Sequence, residues 1–267
     1  MSREKITTAK LLAMKERGEK IAALTAYECL FARVLDEAGV DVILVGDSLG
    51  MVFAGYETTL RVTMDQMLYH TKIVADSVEH ALVVGDMPFM SFQVNTEAAL
   101  RNAGRFLQEA GARAVKVEGG EKIADRVRRM VDAGIPVMGH LGLTPQSIHQ
   151  FGGYGVRAKG EAEARKLLHD AEVLEQAGVF SLVLEKIPGP LAKEVSEKIR
   201  VPTIGIGAGP HCDGQILVTQ DLLGVFERFR PKFVRRYAEL GKAAREACAA
   251  YVGDVREGGF PSIEESF

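Results

Sequence analysis

Four times along the chain a helix-period stretch ends in Ala-Gly, a short continuous apolar run follows, and the run stops at a polar or charged residue. The instances are Ala38-Gly39 followed by VDVILVG and Asp47, Ala110-Gly111 followed by ARAVKV and Glu118, Ala133-Gly134 followed by IPVMG and His140, and Ala177-Gly178 followed by VFSLVL and Glu185. A glycine after the last helical turn reads as a C-cap, because glycine takes positive φ without strain. The runs are continuous rather than alternating, and rich in Val, Ile and Leu, as in parallel strands buried on both faces. Residues 21–26, 81–85 and 202–207 fit the same unit less closely. An eighth run is weak: 215–218 is its best position, although 216–225 also reads as partly helical.

Helix-period segments fall at 28–38, 64–79, 96–110, 121–133, 160–177, 190–199 and 232–251, with an extra N-terminal helix near 8–17. Thr63 before Asp65 and Thr96 before Glu97 have the form of N-caps. Strands alternating with helices over this length predict an α/β protein, a (β/α)8 TIM barrel, with a doubly wound open sheet as the alternative. No linker or shift in composition divides the chain, so residues 1–267 are expected to form one barrel domain. The Gly-rich stretch 151–155 falls within one βα loop, and the polar tail from Gly253 onward is expected at the surface.

Composition narrows the function classes. The 267 residues carry 33 Lys+Arg against 36 Asp+Glu, a net charge of −3, which gives no reason to expect nucleic-acid or membrane-surface partners. The N-terminus is interrupted by charge every few residues, and no apolar stretch is long enough to span a bilayer, so a cytoplasmic location is expected. Cys29, Cys212 and Cys248 form no CxxC pair and read as reduced thiols; a nucleophilic Cys212, between His211 and Asp213, is the minor alternative.

Barrel enzymes build their sites at the C-terminal ends of the strands. The polar residues there are Asp47 and Ser48, Asp86, Lys116 and Glu118, His140, and Glu185 and Lys186. Four carboxylates from different strands cannot stay ionised together without counter-charge. A divalent cation and Lys116 would supply it, and all-oxygen donors favour Mg²⁺, leaving one carboxylate as a base. The bland alternative is that each acid caps a helix or pairs with a nearby Arg or Lys. Lys116 and Glu118 lie two apart in a strand and should share its inner face. His140 lies in GHLGL and reads as a substrate contact, while the other five histidines are expected to be solvated. The run IGIGAG at 204–209 would suit either phosphate binding or tight packing at the rim.

VGDSLGM (45–51), GDMPF (85–89), VKVEGG (115–120), GHLGLTPQS (139–147), FGGY (151–154), VLEKIP (183–188), IGIGAG (204–209) and DGQILV (213–218) together resemble the ketopantoate hydroxymethyltransferase family, in order from about residue 4 to about residue 260. The resemblance implies a barrel related to phosphoenolpyruvate mutase and isocitrate lyase, one Mg²⁺ per subunit and a homodecamer. It places the metal on Asp47, Asp86 and Glu118, the α-keto acid on Asp47, Ser48, Asp86 and Lys116, and the catalytic base at Glu185, with His140 in the substrate pocket. The implied reaction takes 3-methyl-2-oxobutanoate through a Mg²⁺-stabilised enolate to 2-dehydropantoate, with 5,10-methylenetetrahydrofolate as donor, the first step of pantothenate synthesis. Donor contacts are sought in loop residues such as 151–154 and 91–95. Lys186, if turned inward, would lower the pKa of Glu185. The competing readings are a Mg²⁺-dependent C–C lyase of the isocitrate lyase group, a non-catalytic barrel that only binds, and a phosphosugar isomerase using IGIGAG.

Overall fold

A computed structural model describes residues 3–227 and 231–267. The chain divides into two compact units, Met1–Val218 and Thr219–Phe267. The first is a closed barrel of eight parallel strands in chain order: β1 (Ile21–Thr25), β2 (Val42–Val45), β3 (Leu82–Asp86), β4 (Ala114–Glu118), β5 (Val137–Gly142), β6 (Ser181–Glu185), β7 (Thr203–Ile206) and β8 (Gly214–Leu217). The open-sheet alternative is thereby excluded. The weak eighth run is a strand over 214–217, and the partly helical reading of 216–225 holds for Thr219–Leu222 alone.

Why the runs are apolar throughout is visible in the core. Ile43, Val83, Val115, Val117, Leu182 and Leu184 face the surrounding helices. Their alternates Val42, Leu44, Leu82, Val84, Ala114, Met138, Val183 and Ile204 fill the barrel interior. Both faces of the sheet are dry, so both phases of each strand are hydrophobic. The Ala-Gly signals mark the helix ends: Gly39, Gly111, Gly134 and Gly178 all have positive φ, between 70° and 97°.

The extra helix, Thr8–Glu16, belongs to the barrel's interior cluster. Ile6, Leu11 and Met14 belong to one buried cluster with Ile21, the first residue of β1, and the other inward-facing strand residues. The Lys15 ammonium donates to the carbonyls of Ser196, Ile199 and Val201 at 2.8–3.0 Å and pairs with Asp213 at 2.9 Å. It thereby answers carbonyls at the end of the helix Gly189–Lys198.

Two local expectations are corrected. Thr63 is an N-cap with a full capping box to Gln66, but the cap of the helix Thr96–Gln108 is Asn95, whose side chain accepts from the Ala98 amide. Asn is an equally good cap, and Thr96 is already helical. The last long helix runs Leu240–Glu257, later than 232–251, and continues through Gly253; Gly258 ends it with φ 76°. None of its residues is buried within the second unit, so little packing fixes where it starts and stops. The residues after it are exposed.

Asp36, near the end of the helix Cys29–Ala38, holds the entrance to β3. Its buried carboxylate accepts from the amides of Glu79, His80 and Ala81 at 3.0, 3.2 and 2.7 Å. Burial opposes its ionisation, but the three amides and His80 outweigh it and lower its pKa. A depressed folded-state pKa adds stability above the ordinary carboxylate range, and that stability is lost as pH falls through it. Asp36→Asn should therefore cost about 2 kcal/mol in urea unfolding at pH 7, since an amide nitrogen faces donors. The gap to the parent chain should narrow towards pH 3.

Candidate active site

In four neighbouring strands the inward-facing residues begin apolar and end charged: Val84 then Asp86, Ala114 then Lys116 and Glu118, Met138 then His140, Val183 then Glu185. Alternation carries each charged group into the mouth of the barrel. Register then sets the pairs: Asp86 lies opposite Lys116, and Glu118 opposite His140. The Lys116 ammonium stands 3.0 Å from Asp86 Oδ1, 3.4 Å from Glu118 Oε1 and 3.2 Å from His140 Nδ1. The expected shared face of Lys116 and Glu118 is confirmed. Asp47, from the turn after β2, donates its backbone N–H to Asp86 Oδ2 at 3.0 Å. All five groups are buried.

Glu185 ends β6 with its side chain 16% exposed, and its Oε2 lies 3.3 Å from His140 Nε2. It faces the cluster from the solvent side. Gly142 makes this possible: its φ is 93°, and a side chain there would run into the Glu185 carbonyl, which accepts from the Leu143 amide at 2.8 Å. Ser48 is half-buried, 2.8 Å from the Tyr27 hydroxyl. The strand-end residues named from sequence are thus brought into one mouth.

Sequence reasoning missed Gln146. Its side-chain amide donates to Asp47 Oδ2 at 3.0 Å and to the Met87 carbonyl at 2.9 Å, and its backbone N–H donates to Glu118 Oε2 at 2.9 Å. It ties two carboxylates into one array. GHLGLTPQS contained it, but a neutral side chain six residues beyond His140 carries no charge signal. Two other expectations shift. His70 and His80 are half-buried and bonded, to the Tyr27 carbonyl and to Asp36, rather than solvated. Lys186 does not turn towards Glu185; its ammonium donates to the Tyr154 carbonyl, from a backbone with φ 46°. In IGIGAG, Gly205 lies tight against Cys212 and Gln215, and Cys212 is buried, with its thiol pushed up mainly by burial.

The electrostatics show a shortage of positive charge. Burial, then the Asp86 and Glu118 charges, push Asp47 well above the ordinary carboxylate range. Burial also raises Asp86, although Lys116 opposes it. For Lys116 burial works against the charge, but the three acids outweigh it and hold the ammonium charged. Burial and Lys116 lower His140, yet Glu118 and Glu185 prevail and bring it to about 9. Glu118 is lowered despite burial, by Lys116, His140 and the Gln146 amide.

The donor set suits a hard divalent cation. It consists of oxygens, carries excess negative charge, and includes Asp86 Oδ1, which is buried and accepts no aligned hydrogen bond. Among the described residues no three His, Cys, Asp or Glu side chains are arranged to hold a metal ion; the carboxylates are turned onto Lys116, Gln146 and His140.

Removing the ammonium tests the balance. Lys116→Met should destabilise the protein by about 3–5 kcal/mol at pH 7, because it strands buried carboxylates. The loss should shrink as pH falls and those carboxyls take up protons; thermal unfolding across pH reads both.

Comparisons with known proteins agree with this picture. Residues 5–263 match a family model described as ketopantoate hydroxymethyltransferase. The chain is 56% identical to a 3-methyl-2-oxobutanoate hydroxymethyltransferase of Syntrophus aciditrophicus, covering 98% of this chain and 97% of that one. It is 58% identical to the protein of that name from Prosthecochloris aestuarii, covering 98% and 96%. Among solved structures it resembles a phosphonopyruvate hydrolase complexed with oxalate and Mg²⁺ (TM-score 0.63, 15% identity, 97% and 93% covered). It also resembles 2,3-dimethylmalate lyase, a member of the PEP mutase/isocitrate lyase superfamily (TM-score 0.61, 16% identity, 97% and 91% covered). At those identities the likeness is one of fold.

Proposed function

The chain belongs to the ketopantoate hydroxymethyltransferase family, and from that premise we propose that it transfers a one-carbon unit from 5,10-methylenetetrahydrofolate to 3-methyl-2-oxobutanoate, giving 2-dehydropantoate for pantothenate synthesis. The observation that carries this reading is the buried array of Asp47, Asp86, Lys116 and Glu118 with the more open Glu185 beside it. The array carries more negative than positive charge, so a divalent cation would offset it when an anionic keto acid binds, and its one buried ammonium would face the substrate's oxygens.

Asp47, Asp86 and Glu118 would hold Mg²⁺. When bound, that ion supplies Lewis-acid polarisation of the ketone and chelation of the keto acid. Ser48 and Lys116 receive the substrate's carboxylate and ketone oxygens, and Lys116 neutralises charge that develops on the ketone oxygen. Glu185 takes the proton from C3. Its position at the solvent side of the array, against His140, leaves it free to exchange protons while the others stay locked in pairs. The enolate carbon forms a C–C bond to the donor's methylene carbon and a water molecule supplies its hydroxyl oxygen; the two methylene C–N bonds break in exchange, the proton from C3 and one from water end on the folate nitrogens, and tetrahydrofolate is released. His140 positions Glu185 and Glu118 through its two ring nitrogens. A homodecameric assembly and a cytoplasmic location accompany this reading; among the described residues no helix is long and apolar enough to cross a membrane.

The test is C3-proton exchange of 3-methyl-2-oxobutanoate in D₂O, followed by NMR with and without Mg²⁺. The parent chain should exchange only with metal. Glu185→Gln should retain its thermal unfolding midpoint and slow exchange by at least 10²-fold. Near-parental exchange by that variant would remove Glu185 from the role of base. Asp86→Ala should weaken Mg²⁺ binding at least tenfold by calorimetry, and an unchanged titration would count against Asp86 as a ligand.

A further inference from the structure

One aromatic residue spans the mouth of the barrel and has no part in the chemistry above. Tyr154 lies in the loop between β5 and the helix Glu161–Gln176, just after Gly152 and Gly153, which have φ of 70° and 143°. Its hydroxyl donates to Met51 Sδ at 3.9 Å, and Met51 belongs to the short helix that follows Asp47 and Ser48 at the end of β2. Its backbone carbonyl is held by the Lys186 ammonium, next to Glu185 at the end of β6. In a closed barrel of eight strands β2 and β6 stand opposite each other, four strands apart either way round. Tyr154 therefore bridges the mouth from one side to the other, above the carboxylate array. Burial, and then the Asp47 and Glu185 charges, raise its phenol above the ordinary range.

The bridge is fixed at both ends of its loop. The Arg157 amide donates to the Lys186 carbonyl at 2.8 Å, and the Arg157 guanidinium stacks on Phe151, 4.0 Å from the ring centroid, while pairing with Glu163. Lys186 holds φ 46°, a costly conformation for a side-chain-bearing residue. The chain thus spends strain and an ion pair to keep Tyr154 in place, yet leaves 39% of it exposed. The array beneath is small, charged and sealed. A second, larger substrate with a flat ring system must approach from the solvent side, where Tyr154 is partly exposed.

We propose that Tyr154, latched by Lys186, is a positioning residue that stacks on the fused ring of the one-carbon donor and sets how its methylene group meets the keto acid. This rests on the folate-dependent reading above. Ring stacking of this kind supports about a tenfold effect on affinity.

The test is steady-state kinetics of the full-length enzyme with Mg²⁺, varying 5,10-methylenetetrahydrofolate and 3-methyl-2-oxobutanoate separately. Tyr154→Ala should raise the donor KM about tenfold and the keto acid KM less than threefold, while Tyr154→Phe, which keeps the ring, should stay within twofold of the parent for both. Lys186→Met should raise the donor KM in the same direction by a smaller factor. Equal rises in both KM values, or a Tyr154→Phe effect as large as that of Tyr154→Ala, would overturn stacking on the donor. An unchanged donor KM in Lys186→Met would overturn the latch. Absence of folate-dependent turnover in the parent chain would instead overturn the functional reading itself, so the two failures are distinguishable.

Discussion

The site depends on one buried ammonium. Lys116 is enclosed by the barrel and lies within 3.4 Å of carboxylate oxygens from both Asp86 and Glu118. Taking any one of these charges out of water alone costs several kcal/mol, so each is tolerable only in the company of the others. That mutual dependence turns a set of strand ends into one unit. It also leaves the unit short of positive charge, and Asp47 shows the strain most clearly. A cluster in this state has an intrinsic appetite for a cation and for a polar substrate, and is poorly suited to serving as a plain structural core.

The barrel meets the cost by separating apolar and charged levels along its axis. Val84, Ala114, Met138 and Val183 form the dry level below, and the charged residues two positions on form the level above. At the opposite end Leu11 and Met14 of the N-terminal helix join the same interior cluster, which keeps water from reaching the array from beneath. At the mouth, Glu185 and Tyr154 are partly exposed members of the site. Gln146 does for the anionic side what Lys116 does for the charge balance: a neutral donor to Asp47 and Glu118 adds hydrogen bonds without adding another ion to bury.

The related folds place this arrangement in context. Structures of phosphonopyruvate hydrolase and 2,3-dimethylmalate lyase share the barrel at 15% and 16% identity, so the scaffold persists where most side chains differ. Function on such a scaffold lives in the residues at the strand ends and in the loops above them. In this chain the strand ends and loops contribute positive-φ backbone at Gly142 and Lys186 and the tethered Tyr154 segment, which is where a barrel of common design becomes a particular site.

The repeat of helix, Gly cap, apolar run and terminal polar residue was enough by itself to mark the alternation of strands and helices, most of the strands and the polar residues at their ends, because periodicity and glycine's positive φ act over a few residues and leave a local record; closure into a barrel rather than an open sheet was settled by the structure. Lys116 and Glu118 could be placed on one face for the same reason. The roles of Gln146 and Tyr154, the turning of Lys186 away from Glu185, and the tethering of His80 by Asp36 were decided only by the tertiary structure. Each depends on segments tens of residues apart being brought within about 3–4 Å. Neutral donors and aromatic rings carry no periodic signal, and the start of the helix Leu240–Glu257, which buries nothing in its own unit, is fixed by no packing there. Local chemistry wrote the frame; which side chains share an ion, a hydrogen bond or a strap was settled by strand register and by loops crossing the mouth.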